Sequence, residues 1–450
     1  MTIWLPALEP GVPAYLAIAD EIARGIRAGA LRPGDRLPTH RLLADLLGLN
    51  VSTVTRAYRE AARRRLVDGE TGRGTFVLAR SAEAALFALE KRPQADLIDL
   101  STNTPPLMPR DGDLLAGVQA LSAGEAAALL HYHTPGDWLV HRAAVAGWLR
   151  RRGLEVAGED IVVCAGAQHA LDVALSLFEG AGELSVEALT YPGLKAVARQ
   201  RKLRLAPMAM DGEGVTPEAF EAACRAGSGR VAVLSPTLQN PTTATMSLAR
   251  RRQIVAIARR FDALIVEEDV YGLLPVDAPP PLAALAPERV CYVSGLSKTI
   301  APGLRLGYLV APPALRERLA DAEHRTSWYV APFAAALAAR WMNDGTAWRR
   351  LAAQRRELAA RHAVVRETLA GLDWAGAPHC PHVWLRLRRG PAADLAERAL
   401  RAGVAVVADP VFAVGRGKGY EGLRISTGAA ANRKQLAAGL GILRALVAGE

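Results

Sequence analysis

The residues best equipped for chemistry lie in one run, Val293-Ser294-Gly295-Leu296-Ser297-Lys298-Thr299-Ile300-Ala301-Pro302-Gly303-Leu304-Arg305-Leu306-Gly307. A β-prone segment ends there, a lysine follows, and glycines and an arginine come next. Lysine is scarce in this chain, occurring only at positions 91, 195, 202, 298, 418 and 434 among 55 basic residues. Where arginine supplies nearly all the positive charge, a lysine among apolar neighbours points to amine chemistry. Such an amine can lose its proton and form a Schiff base, while hydroxyls and an arginine beside it hold a dianionic phosphate. Pyridoxal phosphate needs both. The run is not a serine-hydrolase elbow, because no glycine closes Gly295-Leu296-Ser297-Lys298-Thr299, and an S-x-x-K site would need serine at position 295. It is not a Walker loop either. Taken alone, the run equally suits a structural lysine at a strand end.

Other residues complete the set. Gly166-Ala167-Gln168 follows a β-prone run and opens a helical stretch, where free backbone N–H groups and the helix dipole favour phosphate. Asn240-Pro241-Thr242, after the Val231–Ser235 run, can place an amide near a phenolic oxygen, and Tyr271 can do likewise. Tyr191 offers a ring for stacking. Carboxylates at Glu267, Glu268 and Asp269 can protonate a pyridine nitrogen, which makes the ring an electron sink.

The elements that must position these groups form an alternating series. From Leu97 on, β-prone runs at Ile161–Cys164, Arg230–Leu234, Ala263–Glu267, Val290–Ser294 and Arg305–Val310 alternate with Ala/Leu-rich helical stretches such as Ala170–Phe178 and Leu248–Arg260. That order predicts an α/β sheet covered on both faces. Ahead of it, Ala79–Ala95 is rich in alanine and charge and reads as a connector.

The first 80 residues differ in character, with 12 arginines, 8 acidic residues and no lysine. Ile18, Ile22 and Ile26 mark an amphipathic helix from Ala14 to near Gly29. A second helix starts after Thr39 as N-cap, with Leu42, Leu43, Leu46 and Leu47 as its buried stripe and Gly48 as its break. A third begins near Ser52, burying Val54, Ala57, Tyr58 and Ala61 and presenting Ser52, Arg56, Arg59 and Arg63 as a polar, cationic stripe. Leu66–Val77 then reads as two short strands around a glycine-rich turn carrying Arg73. Helix, helix, turn, helix and hairpin is a winged helix-turn-helix, whose last helix enters the major groove. A protein-binding three-helix bundle is the plainer alternative.

Length and composition set the limits. A chain of 450 residues, 50% hydrophobic and 22% charged, predicts two or three folded domains. No apolar run reaches the ~18 residues of a membrane span, and Met1–Pro6 lacks a signal-peptide pattern, so a soluble, cytoplasmic protein is expected. Cys164, Cys224, Cys291 and Cys380 lie too far apart for a zinc module or a disulfide framework and read as buried thiols. His379-Cys380-Pro381-His382 and His131-Tyr132-His133 have no second cluster at zinc spacing, so no metal is expected. Gly415–Gly419 lacks the hydroxyl residue a P-loop requires and reads as a solvent loop. Arg349-Arg350 and Arg355-Arg356 read as a solvated helix face. The net charge of +10 is compatible with a polyanionic partner.

Pro33–Ala44, Leu46-Leu47-Gly48-Leu49, Thr53–Tyr58 and Gly72–Val77 together resemble the GntR-type winged helix. The resemblance implies that Arg41, Ser52 and Thr53 meet DNA phosphates or bases, with Arg73 and Gly74 at the wing. Val51 stands where many relatives carry an arginine near the base edges, and Arg56 is expected to supply part of that reading. Residues 97–450, through the order Gly166, Tyr191, Asn240, Tyr271, Lys298, Arg305, resemble the fold-type I, class I and II aminotransferases. That implies an aldimine lysine at Lys298, with Arg305, Ser297, Ala167 and Gln168 at the phosphate. It further implies Asn240 and Tyr271 at the phenolic oxygen, Tyr191 over the ring, Tyr132 reaching the partner subunit's phosphate, and Asn103 and Arg424 binding substrate. Either Glu268 or Asp269 would meet the pyridine nitrogen. Gly295 departs from the family's usual phosphate-binding serine or threonine.

The combination resembles the MocR subgroup of GntR regulators. It implies a multidomain chain: an α+β winged helix-turn-helix over 1–78, a linker over 79–96, and an α/β pyridoxal phosphate-dependent transferase fold over 97–450. That last fold would comprise a large lobe over about 130–312 and a smaller subdomain from the flanking parts. A homodimer would bind double-stranded operator DNA and sense an amino acid or related amine through Lys298. The other expectation is a working aminotransferase (transaminase) with a subordinate DNA-binding module.

Overall fold

A computed structural model describes residues 4–6, 8, 13–27, 30–31, 35–64, 66–70, 74–77, 97–106, 112–132, 138–180, 182–387, 390–415 and 420–448. The wing arginine Arg73, the connector at 79–95, His133 and most of the 415–419 loop lie outside these residues. Two compact units are present, one N-terminal and one from Ile98 onward.

In the N-terminal unit, α1 (Ala14–Arg27), α2 (His40–Leu47) and α3 (Val51–Arg63) precede a hairpin of β1 (Val67–Glu70) and β2 (Gly74–Val77), in which Val67 faces Val77. Ile18 and Ile22 of α1 share a core with Leu43 of α2 and Val54, Ala57 and Ala61 of α3, all essentially fully buried. Thr39 caps α2 by accepting from Leu42 N, and Gly48 ends it in the left-handed region at φ 65°. Asn50 caps α3 by accepting from Ser52 N, so this helix opens at Val51. The expected stripe on α2 is half right. Leu43 is buried, whereas Leu42 and Leu46 are exposed, because the helix packs through Leu43 and Ala44.

The second unit is built on a seven-stranded sheet in the order β4 (Ile161–Cys164), β12 (Gly307–Val310), β11 (Val290–Gly295), β10 (Leu264–Glu268), β9 (Val231–Leu234), β5 (Glu183–Glu187), β6 (Arg204–Met208). Only β12 runs antiparallel to its neighbours. The central strands β9 and β11 are buried along their whole length, as strands covered on both faces must be. Ile265 enters one core and Val266 the other. All strands but β12 therefore end at one edge, and in open α/β sheets that edge binds ligands. A smaller antiparallel sheet orders β13 (Trp374–Ala375), β14 (His382–Arg386), β17 (Gly422–Ser426) and β16 (Val407–Ala408). The strand β3 (Ile98–Asp99) pairs with β15 (Val404–Ala405), and β7 (Met210–Asp211) with β8 (Gly214–Val215).

Two sequence expectations fail here. Arg350 is buried, paired with Asp113 at 3.0 Å and set over the Trp341 ring. Arg355 donates to the Leu273 and Leu274 carbonyls. Only Arg349 and Arg356 of that set face solvent, because two of every four positions on this long helix turn toward the protein. Cys164, Cys291 and Cys380 are buried, and Cys224 only partly so.

Candidate functional site

Lys298 stands just past the C-terminal end of β11, and its ε-amine donates to the Asn103 carbonyl. Burial lowers its pKa to about 8, with Arg424 acting the same way and Glu268 opposing. On the same side, Arg424 of β17 donates to Ser101 O at 2.6 Å and to Asn240 Oδ1 at 3.1 Å, over the Phe412 ring. Burial lowers this guanidinium to about 10. Two cations thus hold the stretch Ser101–Asn103 from both ends.

The anion end is made by strand pairing. Because β12 returns antiparallel between β11 and β4, Gly307 lies opposite both Gly295 and Cys164. Arg305, in the left-handed region at φ 50°, then sits at the start of the helix Ala167–Ser176. Its guanidinium donates to Ser297 Oγ at 3.4 Å. Gly166 precedes that helix at φ 93°, and no side chain caps it. This combination of free N–H groups, a hydroxyl and an exposed guanidinium is chemically suited to phosphate.

The departure at Gly295 has a steric cause. A Cβ there would lie 2.9 Å from Leu306 O and 3.3 Å from Ala167 N. A serine is excluded by the backbone, and Ser297 carries the hydroxyl instead. At Gly307 a Cβ would lie 2.6 Å from Ala167 N and against the Gly166 backbone. Gly307→Ala is expected to push the helix start away, costing about 1–3 kcal/mol of stability and weakening phosphate binding. Thermal melting and isothermal titration with pyridoxal phosphate check both effects.

The two candidate acids part ways where β10 stops. The strand ends at Glu268 and the chain turns, so its alternation does not carry Asp269 to the face of Tyr271. Asp269 is buried on the opposite side, where Arg152 Nε donates to it at 2.7 Å and Tyr292 OH at 2.9 Å. Glu268 instead faces Lys298 and Tyr191, and burial raises its carboxyl to about 7. Glu267 accepts from the Leu282 and Ala283 N–H groups, both at 2.9 Å.

Tyr271 OH accepts from Asn103 Nδ2 at 2.8 Å. Gln168 donates to Gly193 O at 3.0 Å, in contact distance of Tyr191. Tyr132 alone stands apart, largely exposed and stacked 5.3 Å from the Trp328 ring. Sequence reasoning missed Arg152, which anchors Asp269, and His382, which lies fully buried beside Asn103 and Tyr271. The pair His382 and Cys380 had been weighed only as metal ligands.

Among the described residues, buried polar atoms here without a protein partner include Glu268 Oε2, Asn103 Oδ1, Gln168 Oε1 and Arg424 Nε. An amine, a raised carboxyl, amide and phenol groups and a phosphate cradle at one sheet edge fit pyridoxal phosphate.

On the N-terminal unit, Arg41, Ser52, Arg56 and Arg59 are exposed and Thr53 is half-buried. Arg56 lies 3.7 Å over the Tyr15 ring, and Arg63 is bound to Glu60 at 2.7 Å. Gly74, at φ 115°, lets Arg36 pack across the wing, where a Cβ would meet its Nε at 2.7 Å. Arg36 was not singled out from sequence.

Residues 95–443 match the family model for aminotransferase class I and II, and residues 14–77 match that for bacterial regulatory proteins of the gntR family. The HTH-type transcriptional regulator YdeF of Bacillus subtilis is 30% identical, over 99% of this chain and 96% of its own. The HTH-type pyridoxine biosynthesis transcriptional regulator PdxR of Corynebacterium glutamicum is 29% identical, over 81% of each chain. Among solved structures, the α-aminoadipate aminotransferase LysN of Thermus thermophilus superposes with a TM-score of 0.71 at 26% identity, covering 79% of this chain and 92% of that one. With a gntR-type reader and a class I and II aminotransferase fold in one polypeptide, this chain belongs to the MocR-type transcription regulators.

Proposed function

We propose that this protein binds operator DNA as a homodimer and adjusts that binding to an amino acid or related amine recognised at the Lys298 site. The observation that carries the reading is the pairing of a buried amine, Lys298, with a buried carboxylate receptor, Arg424, across the Ser101–Asn103 stretch. When bound, pyridoxal phosphate supplies an aldehyde that condenses reversibly with primary amines and a ring that withdraws electrons from them.

The chain's own residues do the rest. Arg305, Ser297 and the N–H groups at Ala167 and Gln168 hold the phosphate. Glu268 shares a proton with the ring nitrogen, Asn240 and Tyr271 face the phenolic oxygen, and Tyr191 covers the ring. Arg424 and Asn103 orient the effector, whose carboxylate competes for the guanidinium. Differential affinity for two arrangements of the protein then biases DNA binding.

A second copy is the proposed cover for exposed Leu130, Tyr132, Leu139, Val140 and Trp328, and Tyr132 would serve the copy's phosphate site. No helix among the described residues is long and apolar enough to cross a membrane. We place the protein in the cytoplasm, with its DNA.

Fluorescence anisotropy with operator DNA, with and without pyridoxal phosphate and a panel of amino acids, tests the reading. An amino compound that shifts affinity at least fivefold, only with cofactor bound, is expected. Effector-independent binding, with many cycles of cofactor conversion by amino and keto acids, would instead establish a transaminase. Arg59→Ala should weaken all DNA binding and lower the salt slope by about one, while Arg63→Ala, already paired with Glu60, changes little.

A further inference from the structure

His382 is fully buried at the start of β14, and its ring lies 5.6 Å from that of Tyr271. Its Nε2 stands 3.3 Å from the Gln239 carbonyl. A carbonyl only accepts, so Nε2 carries the hydrogen. Burial, then the charge of Arg424, lowers the imidazole to about 3 and keeps it neutral. Its Nδ1 therefore holds a lone pair and must accept.

Two groups reach that lone pair: Cys380 Sγ at 3.5 Å and Asn103 Nδ2 at 3.4 Å. Burial raises the Cys380 thiol to about 12, so it stays protonated and donates weakly. Because the thiol donates only weakly, the stronger donor to Nδ1 is the Asn103 amide, whose nitrogen, not its oxygen, faces His382. That same nitrogen donates to Tyr271 OH at 2.8 Å, and Asn103 Oδ1 is left without a protein partner. A tyrosine hydroxyl that accepts from Asn103 keeps its own hydrogen free. Were the amide reversed, Asn103 Oδ1 would take that hydrogen and Tyr271 could only accept.

We propose that His382 is a positioning residue that fixes the Asn103 amide and so makes Tyr271 a donor toward the phenolic oxygen of the cofactor. The proposal rests on the pyridoxal phosphate reading above. A donor at that oxygen stabilises its anionic form, which lowers the pH at which the visible absorption of the bound cofactor changes.

The test is that pH midpoint, measured by absorbance on the full-length holo-protein, with cofactor affinity measured alongside. Tyr271→Phe should raise the midpoint by about one pH unit, as expected for a lost hydrogen bond to a charged group. His382→Phe, which keeps a ring but removes the acceptor, should raise it similarly. His382→Asn, whose amide oxygen can accept, should restore it toward the wild-type value. His382→Phe combined with Asn103→Leu should add little to either alone, because both act through Tyr271. An unchanged midpoint in His382→Phe, when Tyr271→Phe shifts, overturns the proposal. If His382→Phe does not hold cofactor, Asn103→Leu carries the test, and an unshifted midpoint there overturns it equally. A coloured protein whose midpoint ignores Tyr271→Phe would refute the placing of Tyr271 and this proposal with it. A wild-type protein that stays colourless would refute the cofactor reading itself.

Discussion

Replacing Lys298 with alanine is expected to abolish covalent capture of pyridoxal phosphate, leaving no adduct after borohydride treatment and no amino-compound effect on DNA binding. The basis is the Lys298 amine at the sheet edge and its lowered pKa of about 8. Only the neutral amine attacks a carbonyl carbon. At pH 7 about one Lys298 amine in ten is neutral, against roughly one in 3,000 for an ordinary lysine, an advantage of roughly 300-fold. The sign follows directly. A lysine depressed by burial gains reactivity as pH rises toward its own pKa and none beyond it. Capture by the apo-protein should therefore quicken about tenfold per pH unit below about 8 and level off above it. Stopped-flow absorbance from pH 6 to pH 10 reads the profile. A rate still climbing at pH 10 would show that Lys298 is an ordinary surface-like amine and would remove the argument for its chemistry.

The second large effect concerns the two adjacent acids. Asp269→Asn should destabilise the C-terminal unit by about 3 kcal/mol, because it leaves the Arg152 guanidinium buried at 4% exposure without its counter-charge. Thr237 Oγ1 and the Pro279 carbonyl would remain as neutral acceptors for Arg152, which limits but does not cancel the loss. Glu268→Gln should behave in the opposite way. Its outer oxygen has no protein partner, so removing the charge costs little in stability, while affinity for pyridoxal phosphate falls at least tenfold. Urea denaturation of the apo-protein and cofactor titration of each variant separate the two roles. Should Asp269→Asn melt normally and Glu268→Gln bind cofactor normally, the assignment of the two carboxylates would be wrong.

Much of this was legible from residue order. Thr39, Gly48 and the alternation of strand and helix are local signals, and the structure places caps and strands within a residue or two of them. Lys298 stood out because arginine had displaced lysine elsewhere. What stayed hidden depends on partners far along the chain. Glu268 and Asp269 stayed open as alternatives because the chain turns just past Glu268, and nothing in the local spacing announces that Arg152 waits 117 positions away from Asp269. His382 meets Asn103 across 279 positions, so only the closed fold gives it a purpose. The exposure of Leu42 and the burial of Arg350 escaped for the same reason. Periodicity reports that a helix has faces, while the neighbours decide which face is which.

The double hold on Ser101–Asn103 gives the molecule a physical starting point for communication. Any guest that engages the Lys298 amine and draws its carboxylate onto Arg424 takes two donors away from main-chain oxygens at once. Those carbonyls must then find new partners or shift. Under the proposed sensing, arrival of the small molecule would be felt first as slack just past β3, where the second unit begins.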